Sequence, residues 1–242
     1  MNPWREGVPA ATGLADRLAE ALALLREQAR PAELPGMARY GINVERRLGA
    51  SMPALRRIAR TAGSDHDLAL ALWETGLADA RILAGMIADP ARLGARQMDA
   101  WAAGFDSWDV CDQVCGSAFL RSPLAWRKAE VWSRRRGEFV RRAAFALLAH
   151  LAVHDRDSSD RRFVQSLAWI EAAADDDRNL VRKAVSWALR NIGKRNAALR
   201  EHAIACAQRL RERASRAARW IGADVLRELG GSAASVRPAR TR

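Results

Sequence analysis

The side chains best suited to chemistry lie in DSWDVCDQVC, residues 106–115, near the middle of the chain. Asp106 or Ser107 can cap the start of a helix, and Asp109 falls where a reciprocal capping carboxylate is expected. Asp112 lies a full turn inside that helix, where no free backbone amide remains for its side chain. Capping leaves Asp112 unexplained, and an acid at an otherwise apolar helical position needs a partner or a chemical role.

Trp108 and Asp112 are one helical turn apart, so an indole and a carboxylate project side by side, on the face that also carries Cys115. Such a carboxylate can stabilise positive charge on a reacting group or hold an attacking water. The alternative is structural: an arginine elsewhere in the chain pairs with Asp112, and Trp108 belongs to the core. This stretch by itself leaves both interpretations open.

The composition predicts that helices alone position this stretch. Alanine, leucine and arginine dominate, tyrosine occurs once, and β-branched residues are too scattered to build a sheet. Apolar residues recur at intervals of three and four, and caps or breakers divide the chain into helices. We expect helices at 12–30, 36–40, 51–63, 64–76, 77–90, 95–104, 107–120, 122–136, 137–155, 158–177, 178–196, 197–212 and 213–231.

Two of the predicted helices share a motif. EFVRRAAFALL, from residue 138, and NLVRKAVSWAL, from residue 179, both contain V-R-[RK]-A and start 41 residues apart, the spacing of two-helix HEAT-type repeats. The pattern predicts an all-α fold, a right-handed solenoid of HEAT-like helical repeats with a concave basic surface. We expect one such domain over residues 1–230 and a basic disordered tail over residues 231–242.

The charge of the chain predicts a polyanionic partner. Lys and Arg number 40 against 28 Asp and Glu, a formal net charge of +12; nucleic acid is the default partner for such an excess, and an anionic membrane surface the lesser one. Alternatively, these cations are solvated and pair with Asp or Glu, although acids are sparse between Lys183 and Arg200. The candidate DNA-binding cations are Arg141, Lys183, Arg190, Lys194 and Arg195.

The sequence also predicts a soluble, cytoplasmic protein. No apolar run is long enough to span a bilayer, and the N-terminal MNPWREGVPAATG lacks the apolar segment of a signal peptide. Three cysteines, an odd number, argue against a secreted disulfide framework. We therefore expect no association with a membrane, and we expect a monomer.

The remaining cysteines, histidines and tryptophans are expected to be structural. Cys111, Cys115 and Cys206 suit small core positions. His150 and His154 have a spacing that can hold a metal, but no third ligand accompanies them, so we predict no metal site. Six tryptophans at helical-period positions are expected to pack between helices: Trp73, Trp101, Trp126, Trp132, Trp169 and Trp220.

Taken together, these segments resemble the AlkD-type DNA alkylation repair glycosylases, a family built from HEAT-like repeats. FDSWDVCDQVC, EFVRRAAFALLAHLAVHD and DRNLVRKAVSWALRNIGKRN carry the likeness, with support from GMARYGI and LALALWETGLADARILAGMIADP. It extends over residues 36–209. The resemblance implies excision of positively charged alkylated purines, N3-alkyladenine and N7-alkylguanine, from double-stranded DNA, with no metal or other cofactor.

The resemblance also implies roles for individual residues. The family's tryptophan and aspartate, four positions apart on one helix, fall on Trp108 and Asp112. Its arginine falls on Arg142, and its second tryptophan falls on Trp187. These four are the candidate catalytic residues. The family's N-terminal aromatic residue aligns with Tyr40, which we take as a further candidate for DNA binding.

The expected reaction needs a single carboxylate. A purine alkylated at N3 or N7 is already cationic, so it departs as a neutral base and requires no general acid. Asp112 would stabilise the oxocarbenium charge growing on the deoxyribose and hold or deprotonate the attacking water. Trp108 and Trp187 would present their ring faces to the cationic nucleoside, and Arg142 would clamp the phosphate of the lesion strand.

Two other classes of function stay open. GMARYGINVERRLGASMP is similar to a subgroup in which some members bind DNA without excising a base, so a non-catalytic module for damaged or branched DNA is the first alternative. A HEAT scaffold that binds an acidic protein is the second, although it gives no reason for the paired tryptophan and aspartate.

Overall fold

The computed structural model describes residues 13–231, and within that range every regular element is helical. The all-α prediction is therefore confirmed. The helices are α1 (Leu14–Glu27), α2 (Leu34–Arg39), α3 (Met52–Ala62), α4 (His66–Glu74), α5 (Ala78–Ile87), α6 (Ala95–Ala103), α7 (Trp108–Ser117), α8 (Ala125–Ser133), α9 (Glu138–His154), α10 (Asp160–Ala173), α11 (Asn179–Arg195), α12 (Ala197–Glu212) and α13 (Arg216–Gly230), with short 3-10 turns at Pro31–Glu33 and Phe119–Arg121.

The predicted helices all exist, and the differences lie at their ends. The helix expected over 107–120 ends at Ser117 and continues as a separate 3-10 turn. The short helix expected over 36–40 starts earlier, at Leu34, because Pro35 is tolerated in the first turn. The tail predicted for residues 231–242 lies outside the described residues, apart from Gly231.

The chain divides into two compact units, Met1–Ala125 and Trp126–Arg242. In the first unit α5 packs against α3, α4 and α7. Trp73 and Trp101 stack there with ring centres 4.4 Å apart, and Phe105 packs edge-on against Trp73. These aromatic rings hold α4, α6 and the residues that follow α6 together.

The second unit is built from repeated helix pairs. Helix α11 packs between α9 and α13, while α12 contacts α10, α11 and α13. Two hydrogen bonds between neighbouring repeats join residues 38 positions apart: Arg142 Nη1 donates to the Leu180 carbonyl, and the Ser186 hydroxyl donates to Asp224. The first bond ties α9 to α11, and the second ties α11 to α13.

Helix α13 is a third copy of the repeated helix. Five of the eight buried positions of α11 have buried counterparts on α13 that lie 37 residues later, and α11 itself follows α9 by 41. The motif V-R-K-A of α11 thus corresponds to A-R-W-I in α13. Arg142, Lys183 and Trp220 consequently occupy equivalent positions on three neighbouring helices. The matched buried pairs are Val181 with Ala218, Ala184 with Ile221, Val185 with Gly222, Ala188 with Val225, and Ile192 with Leu229.

The predicted core residues are mostly inside. Cys111, Cys115 and Cys206 are buried, and burial raises the pKa of the Cys206 thiol to about 12. Within residues 13–231 no helix combines the length and the apolar character that a membrane span requires. The tryptophans confirmed as buried are Trp73, Trp101, Trp126 and Trp132, whereas Trp169 is half-buried against Trp126.

Trp220 is the exception, because 36% of its surface is exposed. Its ring does pack between helices, against Arg182 of α11, but it does so at the surface and not in the core. The buried stripe of α13 runs through Ala217, Ala218 and Ile221, and Trp220 falls beside it rather than on it. The periodicity of the sequence does not resolve a displacement of one position, which is sufficient to move a side chain from the core to the rim.

Candidate nucleic-acid interface

An ion pair, rather than the predicted capping box, holds the first turn of α7. Ser107 is the N-cap residue, but its side chain bonds to no helix amide. Its hydroxyl instead donates to Asp109 Oδ1 at 2.5 Å. Arg47 binds the same carboxylate through both terminal nitrogens. Its Nη1 lies 2.7 Å from Oδ2, and its Nη2 lies 2.9 Å from Oδ1. The capping-box prediction is wrong because an arginine 62 positions away competes for Asp109.

The connection between α2 and α3 is fixed by two carboxylates. Asp109 holds it through Arg47, whose Nε donates to the carbonyl of Asn43 at 3.1 Å. Asp79 on α5 is 1% exposed and accepts the backbone N–H groups of Leu48 and Ala50 at 2.7 and 2.8 Å. A segment without regular structure is thereby anchored to α5 and α7.

Trp108 and Asp112 leave α7 one turn apart, as predicted, and both are half-buried. The indole Nε1 of Trp108 donates to the Tyr40 carbonyl at 3.1 Å, so the anchored connection orients the indole. The Tyr40 side chain is 80% exposed. The first unit therefore places the backbone of Tyr40 against Trp108, which shares a face of α7 with Asp112.

Arg142 and Trp187 belong to the second unit. Arg142 is 6% exposed, and its Nη1 donates to the Leu180 carbonyl at 2.7 Å, which ties α9 to α11. Trp187 is half-buried and meets His150 edge-on at 5.1 Å. His150 in turn stacks with His154 at 6.1 Å. Sequence reasoning missed His150 as a partner of Trp187, because two separate helices supply the rings.

The spacing of His150 and His154 thus serves ring stacking in the structure. No group of three or more His, Cys, Asp or Glu side chains within residues 13–231 is arranged to hold a metal ion.

Two predicted DNA-binding cations on α11 are paired with acids of α13. Arg190 bonds to Glu228 and lies 3.6 Å from Asp224, measured from Nε to Oδ2. Lys194 bonds to the other oxygen of Glu228. Burial opposes ionisation of Glu228, but hydrogen bonds from Lys194 and Arg190 outweigh it and lower the pKa of this carboxyl. The sequence around α11 does not reveal these acids, because they belong to α13 in the next repeat.

Arg141 is also paired. Its Nη1 lies 2.8 Å from Asp176, a carboxylate that Arg178 binds as well. The hydrogen bonds from Arg178 and then Arg141 outweigh desolvation and lower the pKa of Asp176 to about 2. Lys183, in contrast, is exposed and forms no ion pair within the described part of the chain.

Arg195 mainly supports the end of α11. Its guanidinium lies 4.5 Å from the ring centre of Phe163 and donates to the carbonyls of Ala152 and Ser158 at 3.2 and 3.3 Å. Its Nε is 4.0 Å from Asp160. Arg195 and Lys194 also line an open cavity of about 620 Å³ where α9 and α11 end.

Comparison with known proteins provides the context for this geometry. One solved structure superposes with a TM-score of 0.72 and 21% identity, over 88% of this chain and 96% of that chain. It is described as representing a new family of proteins related to the HEAT-like repeat DNA glycosylases with affinity for branched DNA structures. The likeness confirms the predicted HEAT-like repeat fold.

A search of curated proteins found no match. A family model described as DNA alkylation repair enzyme matches residues 21–224. This match spans both units and most of the 242 residues, so the chain belongs to the DNA alkylation repair enzyme family.

Proposed function

We propose that the protein is a DNA glycosylase that hydrolyses the N-glycosidic bond of N3-alkyladenine and N7-alkylguanine in double-stranded DNA. One observation carries the proposal: in a chain of the DNA alkylation repair enzyme family, α7 holds a carboxylate and an indole, Asp112 and Trp108, one turn apart and half-buried. We further propose that it acts as a cytoplasmic monomer.

The proposed reaction uses the charge that alkylation has already placed on the base. The bond from C1′ of the deoxyribose to the purine nitrogen breaks, and its electron pair moves to the cationic purine, which leaves neutral. The carboxylate of Asp112 stabilises the oxocarbenium ion that remains. Water then adds to C1′ and gives its proton to that carboxylate, so the products are a free base and an abasic site. No step requires a metal or another cofactor.

The aromatic and basic residues would position the lesion. Trp108, oriented by its bond to the Tyr40 carbonyl, offers a ring face to the cationic nucleoside. Trp187 is assigned the same role from α11, supported edge-on by His150. Arg142 is assigned the phosphate of the lesion strand, and its bond to the Leu180 carbonyl fixes the guanidinium.

The other candidate residues would bind the DNA outside the reacting nucleotide. Tyr40 and Lys183 have exposed side chains suited to direct contact. The paired cations contribute to the positive field of the chain, and exchange of their carboxylate partners for phosphates would turn them into contacts. We assign this role to Arg141, Arg190, Lys194 and Arg195.

The test is release of N7-methylguanine from methylated duplex DNA under single-turnover conditions. Asp112→Asn keeps the size of the side chain but removes its charge, so we expect the release rate to fall by about 100-fold or more while DNA affinity changes less than about twofold. Asp177→Asn removes an equal charge from an exposed residue between α10 and α11 and serves as the matched control. Release by Asp112→Asn at the wild-type rate would refute the proposal.

A second function, binding of branched DNA without excision, is favoured by the structural relative described as having affinity for branched DNA structures. The same preparation distinguishes the two. A wild-type protein that releases no base, yet binds a four-way junction more tightly than a duplex of equal length, would support binding alone.

A further inference from the structure

The face of α13 exposes an aromatic ring where the two preceding repeats carry cations. Arg142, Lys183 and Trp220 are equivalent residues on α9, α11 and α13. The first two are candidates for contact with DNA. Trp220 therefore continues the same row on the third helix, but with a ring, 36% exposed, in place of a charge.

A guanidinium from the neighbouring helix lies over this ring. The Cζ atom of Arg182 on α11 is 4.5 Å from the ring centre of Trp220. A hydrogen bond of 3.0 Å from Arg182 Nη2 to Asn179 Oδ1 fixes the same guanidinium group. Two planar groups, one cationic and one aromatic, are thus held together at the surface by different helices.

The surroundings of this pair are positively charged. Lys183 is next to Arg182 in sequence, and Arg216 lies one turn before Trp220; both are exposed. Within the described residues Arg182, Lys183 and Arg216 form no ion pair. The acid one turn beyond Trp220, Asp224, is occupied by the Ser186 hydroxyl and by the guanidinium groups of Arg190 and Arg227. The patch therefore attracts a polyanion.

We propose that Trp220 and Arg182 form a stacking site for an unpaired base of bound DNA. Indole rings and guanidinium planes are the surfaces on which proteins stack nucleobases, and the flanking cations match the phosphates on either side of such a base. Bases inside a duplex are covered on both faces by their neighbours. The site therefore selects DNA that carries an unpaired base, as at a fork or a gap. The assignment of this stacking site rests on the proposed function, because it takes DNA as the ligand.

The test compares a plain duplex with the same duplex ending in a single-stranded fork, by fluorescence anisotropy with labelled DNA. For Trp220→Ala we expect affinity for the fork to fall about tenfold, while affinity for the duplex changes less than about twofold. The dependence of fork affinity on salt should keep its slope, because no phosphate contact is removed. Trp220→Phe should lose less fork affinity than Trp220→Ala, because phenylalanine keeps an aromatic ring. Arg182→Lys keeps the charge but not the planar guanidinium, and it should weaken fork binding about threefold.

Val153→Ala is the matched control, since it truncates another exposed apolar side chain, on α9. Thermal unfolding of each variant shows whether the fold is intact. An equal loss for fork and duplex, or no loss for either, would overturn the stacking site. Base release from methylated duplex is measured in parallel: a wild-type protein that releases no base overturns the glycosylase alone, whereas a missing fork-specific effect overturns the stacking site alone.

Discussion

The contacts of Asp109 in the first turn of α7 give this acid a structural role. Asp109 is gripped by both terminal nitrogens of Arg47 and by the Ser107 hydroxyl. A carboxylate so engaged keeps its charge and geometry and does not exchange partners easily. Asp112, one turn beyond Trp108, is the acid to which we assign the proposed reaction.

The Arg47 pair should control the position of Trp108 without touching DNA. The Arg47 side chain is 4% exposed and that of Asp109 is 16% exposed, so Arg47→Ala leaves Asp109 largely buried without its main partner and should lower the free energy of unfolding by about 3 kcal/mol. The connection that carries the Tyr40 carbonyl should loosen, and base release should slow. Urea denaturation and single-turnover release measure the two effects.

Arg46→Ala is the control for that prediction, because the neighbouring arginine is exposed. The double variant Arg47→Ala with Asp109→Ala should cost less than the sum of the single changes, since each removes the same contact. Strict additivity would contradict the pairing as the source of the effect.

Residue spacing predicted Trp108 and Asp112 correctly as neighbours on one helix, because positions four apart must share a face. It could not predict Arg47 as the partner of Asp109, since the two are 62 positions apart and meet through tertiary packing. Local rules favoured the capping box, and a stronger bidentate ion pair displaced it. The roles of the candidate site residues stay predictions.

At the scale of elements, the second unit repeats one helix three times. Two copies were recognisable from V-R-[RK]-A, whereas α13 keeps only the arginine of that motif. What α13 preserves is the buried stripe, including Ile221, Val225 and Leu229. A repeat of this kind keeps its packing positions but not its residue identities. Comparison of residue identities therefore finds α9 and α11, which retain the motif, and misses α13, which does not.

Gly222 lies on that stripe, where α13 packs tightly against α12. A Cβ atom there would overlap the carbonyl oxygen of Ala207 and crowd Arg211. The overlap is with backbone, which cannot rotate away, so Gly222→Ala should lower the free energy of unfolding by about 2 kcal/mol despite the better helix propensity of alanine. Chemical denaturation followed by circular dichroism measures the change.

Gly230→Ala is the matched control on the same helix. Nothing lies within 4 Å of a Cβ built at Gly230, so this variant should be neutral or slightly stabilising. If both substitutions stabilise the protein, the close packing of α12 and α13 does not constrain Gly222.

At the scale of the whole molecule, the net charge of +12 hides how the charges are distributed. Composition and the sequence of α11 indicated unpaired cations, but α13 supplies acids to Arg190 and Lys194 across the repeat boundary. Net charge predicts attraction to DNA at a distance. Which cations are available at contact depends on pairing between repeats, which the order of residues along one helix does not reveal.

Glu228 should therefore limit the affinity of the chain for DNA. It binds both Arg190 and Lys194, and those contacts lower its pKa, so it is ionised at neutral pH and occupies the two cations that phosphates would otherwise bind. Glu228→Gln releases Lys194 and leaves Arg190 with only its longer contact to Asp224, at 3.6 Å. We expect affinity for duplex DNA to rise about threefold to tenfold near 0.1 M salt, and the plot of log affinity against log salt to steepen by about one unit or more.

The control for this change is Glu201→Gln on α12, which alters the net charge equally but at an exposed carboxylate. If long-range attraction alone governed binding, the two variants would gain the same affinity, because the distant field depends on net charge and not on which acid is removed. If Glu228 competes with phosphates directly, only Glu228→Gln steepens the salt dependence, since the slope counts the phosphates neutralised at contact. Equal slopes would contradict competition, and Arg190 and Lys194 would then be structural cations of the α11–α13 boundary.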